Sequence, residues 1–241
     1  MSLPPGEVWP ARLLEVRALG PDTWSPLLEA RLEGKPLSWS PGQHVALRPE
    51  HAGDAPPLLL SIASAPDPAR PGRLRLLVEL PEGSPRRAWI ASASPDERWW
   101  VEGPFGDFAP PPPAEGPLLL VGLGTGVAPL RAIVQATLRR GPMHDVVLLF
   151  GARSPGRLWF HEQFTAWSVH HPHFRYVPTV SRPADGWTGR RGRVQRHLAE
   201  VLSAHGPVRA MVCGALGAVD DVRSALMAHG MPAERIRTEG H

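Results

Sequence analysis

The stretch Leu118-Leu-Leu-Val-Gly-Leu-Gly-Thr-Gly-Val-Ala-Pro-Leu-Arg131 leaves few choices for the fold around it. Leu118 to Val121 form an apolar run with no polar alternation, as in a strand covered on both faces of a parallel sheet. Gly122, Gly124 and Gly126 then allow a tight turn and a close backbone approach. Pro129 falls in what would be a first helical turn, and Leu130, Ile133, Val134 and Leu138 continue at helical spacing. Strand, glycine turn and helix N-terminus together leave N–H groups where a phosphate can sit, with Gly124, Thr125 and Gly126 as the contacting residues. The spacing Gly-Leu-Gly-Thr-Gly-Val departs from G-x-G-x-x-G, so the plain alternative is a glycine-rich strand–helix connection.

The rest of the chain changes period at one place. Up to residue 109, short strands alternate with Pro/Gly turns. They are expected near Leu13–Leu19, Leu27–Leu32, His44–Leu47, Leu58–Ala63, Leu74–Leu80 and Trp99–Val101, with one helix around Arg86–Ala93. That pattern predicts a small antiparallel β-barrel over 1–109. A proline-rich linker follows over 110–117, beginning with Pro110-Pro-Pro-Pro113, which cannot continue a ladder. From 118 to 241, strands alternate with helices: Val146–Phe150, a helix opened by Ser154-Pro155 and running through about Trp167, Phe174–Thr179, a helix over Gln195–Leu202, Val208–Cys213, a helix over Val219–His229, and an edge strand at Ile236–Thr238. This is the signature of an α/β doubly wound parallel sheet.

Composition excludes several classes. A net charge of +3, spread over scattered arginines, gives no footprint for nucleic acid. No apolar run reaches the length of a membrane span, and the opening Met-Ser-Leu-Pro-Pro is no signal peptide, so the expected compartment is the cytoplasm. The single cysteine, Cys213, excludes an internal disulfide or a four-cysteine iron–sulfur cluster on this chain. His170-His171-Pro172-His173 lacks companion carboxylate or cysteine spacing and reads as a polar loop, not a metal site.

In a parallel sheet the ligand lies beyond the carboxyl ends of the strands. Those ends are Gly124-Thr-Gly126, Gly151-Ala-Arg153, Ser181-Arg182 and Cys213-Gly214, where glycine turns and arginines suit a phosphorylated ligand. Arg153, Arg182, Arg191 and Arg193 could meet a 2′-phosphate, favouring NADPH over NADH, or could be surface arginines.

These ends, read with their flanks, resemble the ferredoxin–NADP reductase family: Gly124-Thr-Gly-Val-Ala-Pro129, Gly151-Ala-Arg-Ser-Pro155, Val180-Ser-Arg-Pro183, Trp187-Thr-Gly-Arg-Arg-Gly-Arg-Val194 and Val212-Cys-Gly214. Pro41-Gly-Gln43, Ser61-Ile-Ala-Ser-Ala-Pro66 and Glu102-Gly-Pro-Phe-Gly-Asp-Phe108 carry the resemblance into the first half. It implies a flavin-binding six-stranded barrel, then an NAD(P)-binding domain, with electrons passing from NADPH or NADH through FAD to a separate acceptor. That acceptor is an electron carrier protein, an oxygenase component or free flavin. The resemblance also implies that Cys213 sits beside the nicotinamide, although a lone cysteine at a strand end is ordinarily a buried small residue.

The flavin motif departs from the family. Its Arg-x-Tyr-Ser falls on Leu58-Leu59-Leu60-Ser61, so the pyrophosphate arginine is Leu58 and the ring-packing tyrosine is Leu60. Ser61, Ile62 and Ala63, with the backbone from Leu60, are expected to line the isoalloxazine edge. Gly83-Ser-Pro-Arg-Arg matches the family's second flavin loop, which puts Ser84, Arg86 and Arg87 in place to compensate unless they lie on a solvated helix face. The expectation is weakened FAD binding. A non-enzymatic alternative is a nucleotide-binding regulatory or assembly subunit of the same fold.

Overall fold

The computed structural model describes residues 6–110, 112, 116–141, 144–206 and 209–240. The chain divides into two compact units, Met1–Ala109 with Arg131–Ala136, and Pro110–Leu130 with Thr137–His241. Part of the expected linker, residues 111 and 113–115, lies outside the described residues, as does Val208, where one strand is expected to begin.

The first unit is an antiparallel sheet of β1 (Val8–Gly20), β2 (Thr23–Leu32), β3 (Lys35–Pro36), β4 (His44–Pro49), β5 (Leu58–Ser61), β6 (Arg73–Arg75), β7 (Val78–Glu79) and β8 (Arg98–Phe105), with one short helix, α1 (Arg87–Ala91). The strand order is β3-β2-β1-β8-β4-β5, and β6 and β7 also pair with β2. One isolated bridge, Ile62 to Leu76, brings the chain after β5 back beside the stretch between β6 and β7, so the sheet curls into a barrel. Period-two burial explains the curl. Along β8, Trp99, Val101, Gly103 and Phe105 turn inward while the residues between them are less buried. Trp99, Val101, Leu13, Leu28, Val45, Leu47, Leu74 and Leu76 share one apolar core with Leu58 and Ile62.

The second unit is a parallel sheet in the order β12-β11-β10-β9-β13-β14. Its strands are β9 (Leu118–Leu123), β10 (Val146–Ala152), β11 (Phe174–Val180), β12 (Arg190–Arg191), β13 (Arg209–Gly214) and β14 (Ile236–Gly240). The helices are α2 (Val127–Arg140), α3 (His161–His170), α4 (Leu198–His205) and α5 (Leu216–Ala228). β9 is flanked by β10 and β13, and Leu118 to Val121 are all buried, as a central parallel strand requires. The order reverses direction at β9, whose carboxyl end is therefore the switch-point crevice of a doubly wound sheet.

Two expected helices differ. The one opened by Ser154-Pro155 is a single 3-10 turn (Pro155–Arg157), and α3 starts only at His161. Phe160 between them takes a left-handed φ of 61°, which breaks the run, and its ring meets Phe164 edge-on at 6.4 Å. The helix expected from Gln195 starts as a 3-10 turn over Val194–His197 and becomes α-helical at Leu198. The short β12 had no signal in the sequence, because two exposed arginines carry no apolar pattern.

Candidate functional site

The carboxyl edge of the parallel sheet is built on the turn after β9. Gly124 has a left-handed φ of 56°, which only glycine adopts cheaply, and a Cβ there would point into open space. Gly126 faces the opposite constraint. A Cβ on it would lie 2.1 Å from the Cys213 carbonyl oxygen and 2.5 Å from the Gly214 nitrogen. The turn thus packs backbone to backbone on the end of β13, leaving its outer side open to a ligand. The first turn, Gly124–Gly126, is 3-10, and α2 follows from Val127 with Pro129 in its first turn.

Beside this turn lies a cavity of about 430 Å3 lined by, among others, Gly151, Arg153, Ser181, Arg193, Gln195 and Asp221. Arg153 and Arg193 have no ion-pair partner among the described residues, so two uncommitted arginines border one concave space. Gln195 Oε1 is buried and meets no donor among the described residues, leaving an acceptor for a ligand hydroxyl or amine. Arg182 and Arg191 do not line this cavity. The Arg182 backbone N–H donates to the Arg153 carbonyl at 2.8 Å, and Arg191 Nη2 donates to the Trp187 carbonyl at 2.7 Å. Gln195 carried no signal in the sequence, since its buried oxygen depends on the fold of the Arg193–Gln195 turn.

Cys213 is fully buried at the end of β13. Burial pushes its thiol well above the ordinary range, and the negative charge of Glu239 on the paired strand adds to that. The thiol is therefore neutral and buried, and not a nucleophile.

The loop after β5 is arranged differently. Leu58 is 6% exposed and belongs to the barrel core, Leu59 is 58% exposed on the other face, and Leu60 packs half-buried against the core. Ser61 is the cross-strand partner of His44, whose ring burial holds its pKa below the usual histidine value. The Ile62 N–H donates to the Gln43 carbonyl at 2.9 Å and the Ala63 N–H to the Arg75 carbonyl at 2.7 Å. The Ala63 carbonyl accepts from the buried guanidinium of Arg131. The backbone donors of Ile62 and Ala63, expected at an isoalloxazine edge, are thus spent on the protein, which leaves the Ser61 hydroxyl and the apolar surface of Leu60.

In the loop expected to make the second flavin contact, Arg87 is committed within the protein and Arg86 is not. Arg87 donates to the Leu80 carbonyl at 3.2 Å and to the Pro21 carbonyl at 2.6 Å, with its guanidinium 5.0 Å from the centre of the Trp24 ring. Arg86 lies 5.9 Å from the Trp89 ring centre. The Ser84 carbonyl accepts from the Arg87 N–H, and α1, which begins there, is only Arg87–Ala91. Around Ser61 the barrel thus keeps one hydroxyl and the partly buried Leu60, while position 58 is a buried leucine and Arg87 is committed to carbonyls.

An antiparallel barrel followed by a doubly wound sheet with a glycine turn at its switch point defines a two-domain oxidoreductase of flavin and nicotinamide. The model of the oxidoreductase NAD-binding domain matches residues 120–224. Ferredoxin–NADP reductase B of Sorangium cellulosum is 32% identical over 240 residues, covering 97% of both chains. The reductase subunit of an aromatic O-demethylase from Amycolatopsis is 34% identical over 179 residues, and the match spans 52% of that longer protein. A crystal structure of an Amycolatopsis cytochrome P450 reductase superposes with a TM-score of 0.82 at 29% identity, covering 97% of this chain and 69% of the other. The chain belongs to the ferredoxin–NADP reductase family, whose members are NAD(P)H-dependent flavoproteins.

Proposed function

We propose that the protein accepts reducing equivalents from NAD(P)H and delivers them through FAD to a separate acceptor. The observation that carries this reading is full-length similarity to a ferredoxin–NADP reductase, together with the open turn at Gly124 and the paired guanidinium groups of Arg153 and Arg193. The flavin, when bound, supplies the conversion between two-electron and one-electron chemistry. The chain's own part is to hold and orient. Gly124, Thr125 and Gly126 offer backbone to the nicotinamide nucleotide, and Gly214 continues that surface from β13. Arg153 and Arg193 are the candidates for a 2′-phosphate, with Ser181 and Gln195 beside them. Cys213, fully buried, supports the turn through its carbonyl against Gly126 and takes no part in proton transfer. Leu60 and Ser61 meet the flavin ring.

The given sequence, with one cysteine, holds no four-cysteine iron–sulfur cluster, and the proposed acceptor is a separate molecule. The names of the relatives point to its class. One is a ferredoxin reductase, and others are reductase components of a demethylase and of terephthalate 1,2-dioxygenase. A small iron–sulfur carrier or an oxygenase component fits this pattern. Among the described residues no helix is long and apolar enough to cross a membrane. The cytoplasm, where NAD(P)H is held, is the proposed compartment.

The test is anaerobic turnover of NADPH or NADH with ferricyanide or a ferredoxin, with and without added FAD. Oxidation of the nicotinamide that requires both protein and flavin is the expected result. A chain that binds NAD(P)H yet shows no flavin-dependent oxidation would instead be a regulatory or assembly subunit.

A further inference from the structure

We infer that the barrel recognises only the ring half of the flavin, so that FAD, FMN and riboflavin bind alike and exchange with bulk solution. The inference rests on the function proposed above and concerns what the flavin site reads. A diphosphate carries two negative charges, and a site that distinguishes FAD from riboflavin must supply cations or donors for them. The residues at that end are apolar or already committed, save Arg86, whose guanidinium lies 5.9 Å from the Trp89 ring centre. Leu58 faces the barrel core and is 6% exposed, so nothing polar reaches out from its position. Arg87 is bound to two carbonyls and stacked on Trp24. Arg75, whose carbonyl accepts from Ala63, has its guanidinium bound to Glu15 at 3.1 Å and to the Ser25 carbonyl. Releasing any of these groups to a phosphate would break contacts that already satisfy it, cancelling most of the gain. The N–H groups of Ile62 and Ala63 are likewise occupied.

What remains suits an isoalloxazine. Leu60 offers an apolar face, Ser61 a hydroxyl, and the neighbouring His44 a ring kept neutral by burial. All of these touch the part of the molecule that FAD, FMN and riboflavin share. A site of this kind gives the same affinity to each and releases its flavin on dilution.

The experiment is fluorescence-quenching titration of the flavin-stripped chain with FAD, FMN and riboflavin in parallel, followed by gel filtration of the loaded protein. The dissociation constants are expected to agree within about threefold, and the flavin is expected to separate from the protein on the column. A larger preference for FAD overturns the inference while leaving the proposed function intact, because flavin still binds. No quenching by any flavin up to about 100 µM sinks both. Leu58→Arg should create a preference for FAD over riboflavin of about tenfold, and an unchanged ratio in the folded variant counts against the inference. Because that leucine is buried, Arg86→Ala gives a second reading independent of it. The FAD-to-riboflavin ratio should stay the same, and selective loss of FAD affinity would show that Arg86 reads the diphosphate after all.

Discussion

The glycine turn after β9 and the loop after β5 are the two ligand edges proposed for this chain, and they are made of different material. The turn is made of backbone. Gly124 reaches a left-handed φ, Gly126 packs on the Cys213 carbonyl, and the surface offered to a ligand owes nothing to side chains. The loop after β5 depends on side chains, since its N–H groups at Ile62 and Ala63 are already bonded within the protein. On the proposed reading, leucines at 58 and 60 in place of Arg and Tyr weaken recognition without disturbing the fold, because leucine fits the barrel core well. A backbone-built site can be lost only by breaking the fold. A side-chain-built site can drift while the fold stays.

Gly126→Ala puts that contrast to its hardest test. The added Cβ would lie 2.1 Å from a backbone oxygen that no side-chain rotation can move. The expected result is a loss of about 3 kcal/mol in stability, read by urea unfolding, with NAD(P)H binding abolished. Gly124→Ala meets open space but keeps φ at 56°, so it should cost about 1–2 kcal/mol and leave the fold intact. If the two variants behave alike, the turn is not packed as described. Leu60→Ala, on the flavin edge, should lower flavin affinity with a much smaller effect on unfolding.

A smaller effect separates the arginines. Arg153→Ala or Arg193→Ala, in the cavity beside the turn, should weaken NADPH relative to NADH by about 1.5–2 kcal/mol, roughly tenfold or more in dissociation constant. Arg182→Ala, outside the lining, should change both cofactors little. Equal weakening of NADPH and NADH by every substitution would mean that no 2′-phosphate is read at this edge.

The sequence disclosed the second unit better than the first. The apolar run of Leu118 to Val121 followed by glycines has one ready explanation, and β10, β11 and β13 repeat it with buried residues on both faces. Short barrel strands with one buried face give weaker signals, so the stretch expected at Leu74–Leu80 became two short strands, β6 and β7, around Leu76 and Leu77. Site residues were legible where the motif is local, as at Gly124–Gly126. They were not where they depend on who occupies a donor. That Arg87 is tied to Leu80, seven residues away, and to Pro21, 66 residues away, or that Gln195 buries an unmatched oxygen, follows only from the folded chain. Arg153, Arg182, Arg191 and Arg193 look equivalent in the sequence, and only the cavity separates them.

The smallest expected effect concerns pH and distinguishes the two units by a single atom. Cys213 lies in the parallel sheet, and the barrel has no cysteine. Its thiol is raised chiefly by burial and further by Glu239, so the native state keeps the proton where an unfolded chain gives it up. Below an unfolded pKa of about 8.5, both states hold the proton and the group has no pH effect on stability. Above it, the unfolded state is favoured by ionisation, so stability falls as pH rises, by up to about 1.4 kcal/mol per pH unit. Tyr176, also buried in the sheet unit, is raised in the same sense and extends the loss to higher pH. Urea unfolding of the native chain and of Cys213→Ala at pH 7 and pH 10 isolates the cysteine. The substitution should cost a fixed amount for lost packing at pH 7 and less at pH 10, because the alanine protein lacks the cysteine's alkaline penalty. Hydride transfer should be unaffected by pH across this range as far as Cys213 is concerned, since burial keeps the thiol from changing its charge. If the two proteins lose stability in parallel between pH 7 and pH 10, Cys213 is not held neutral in the fold.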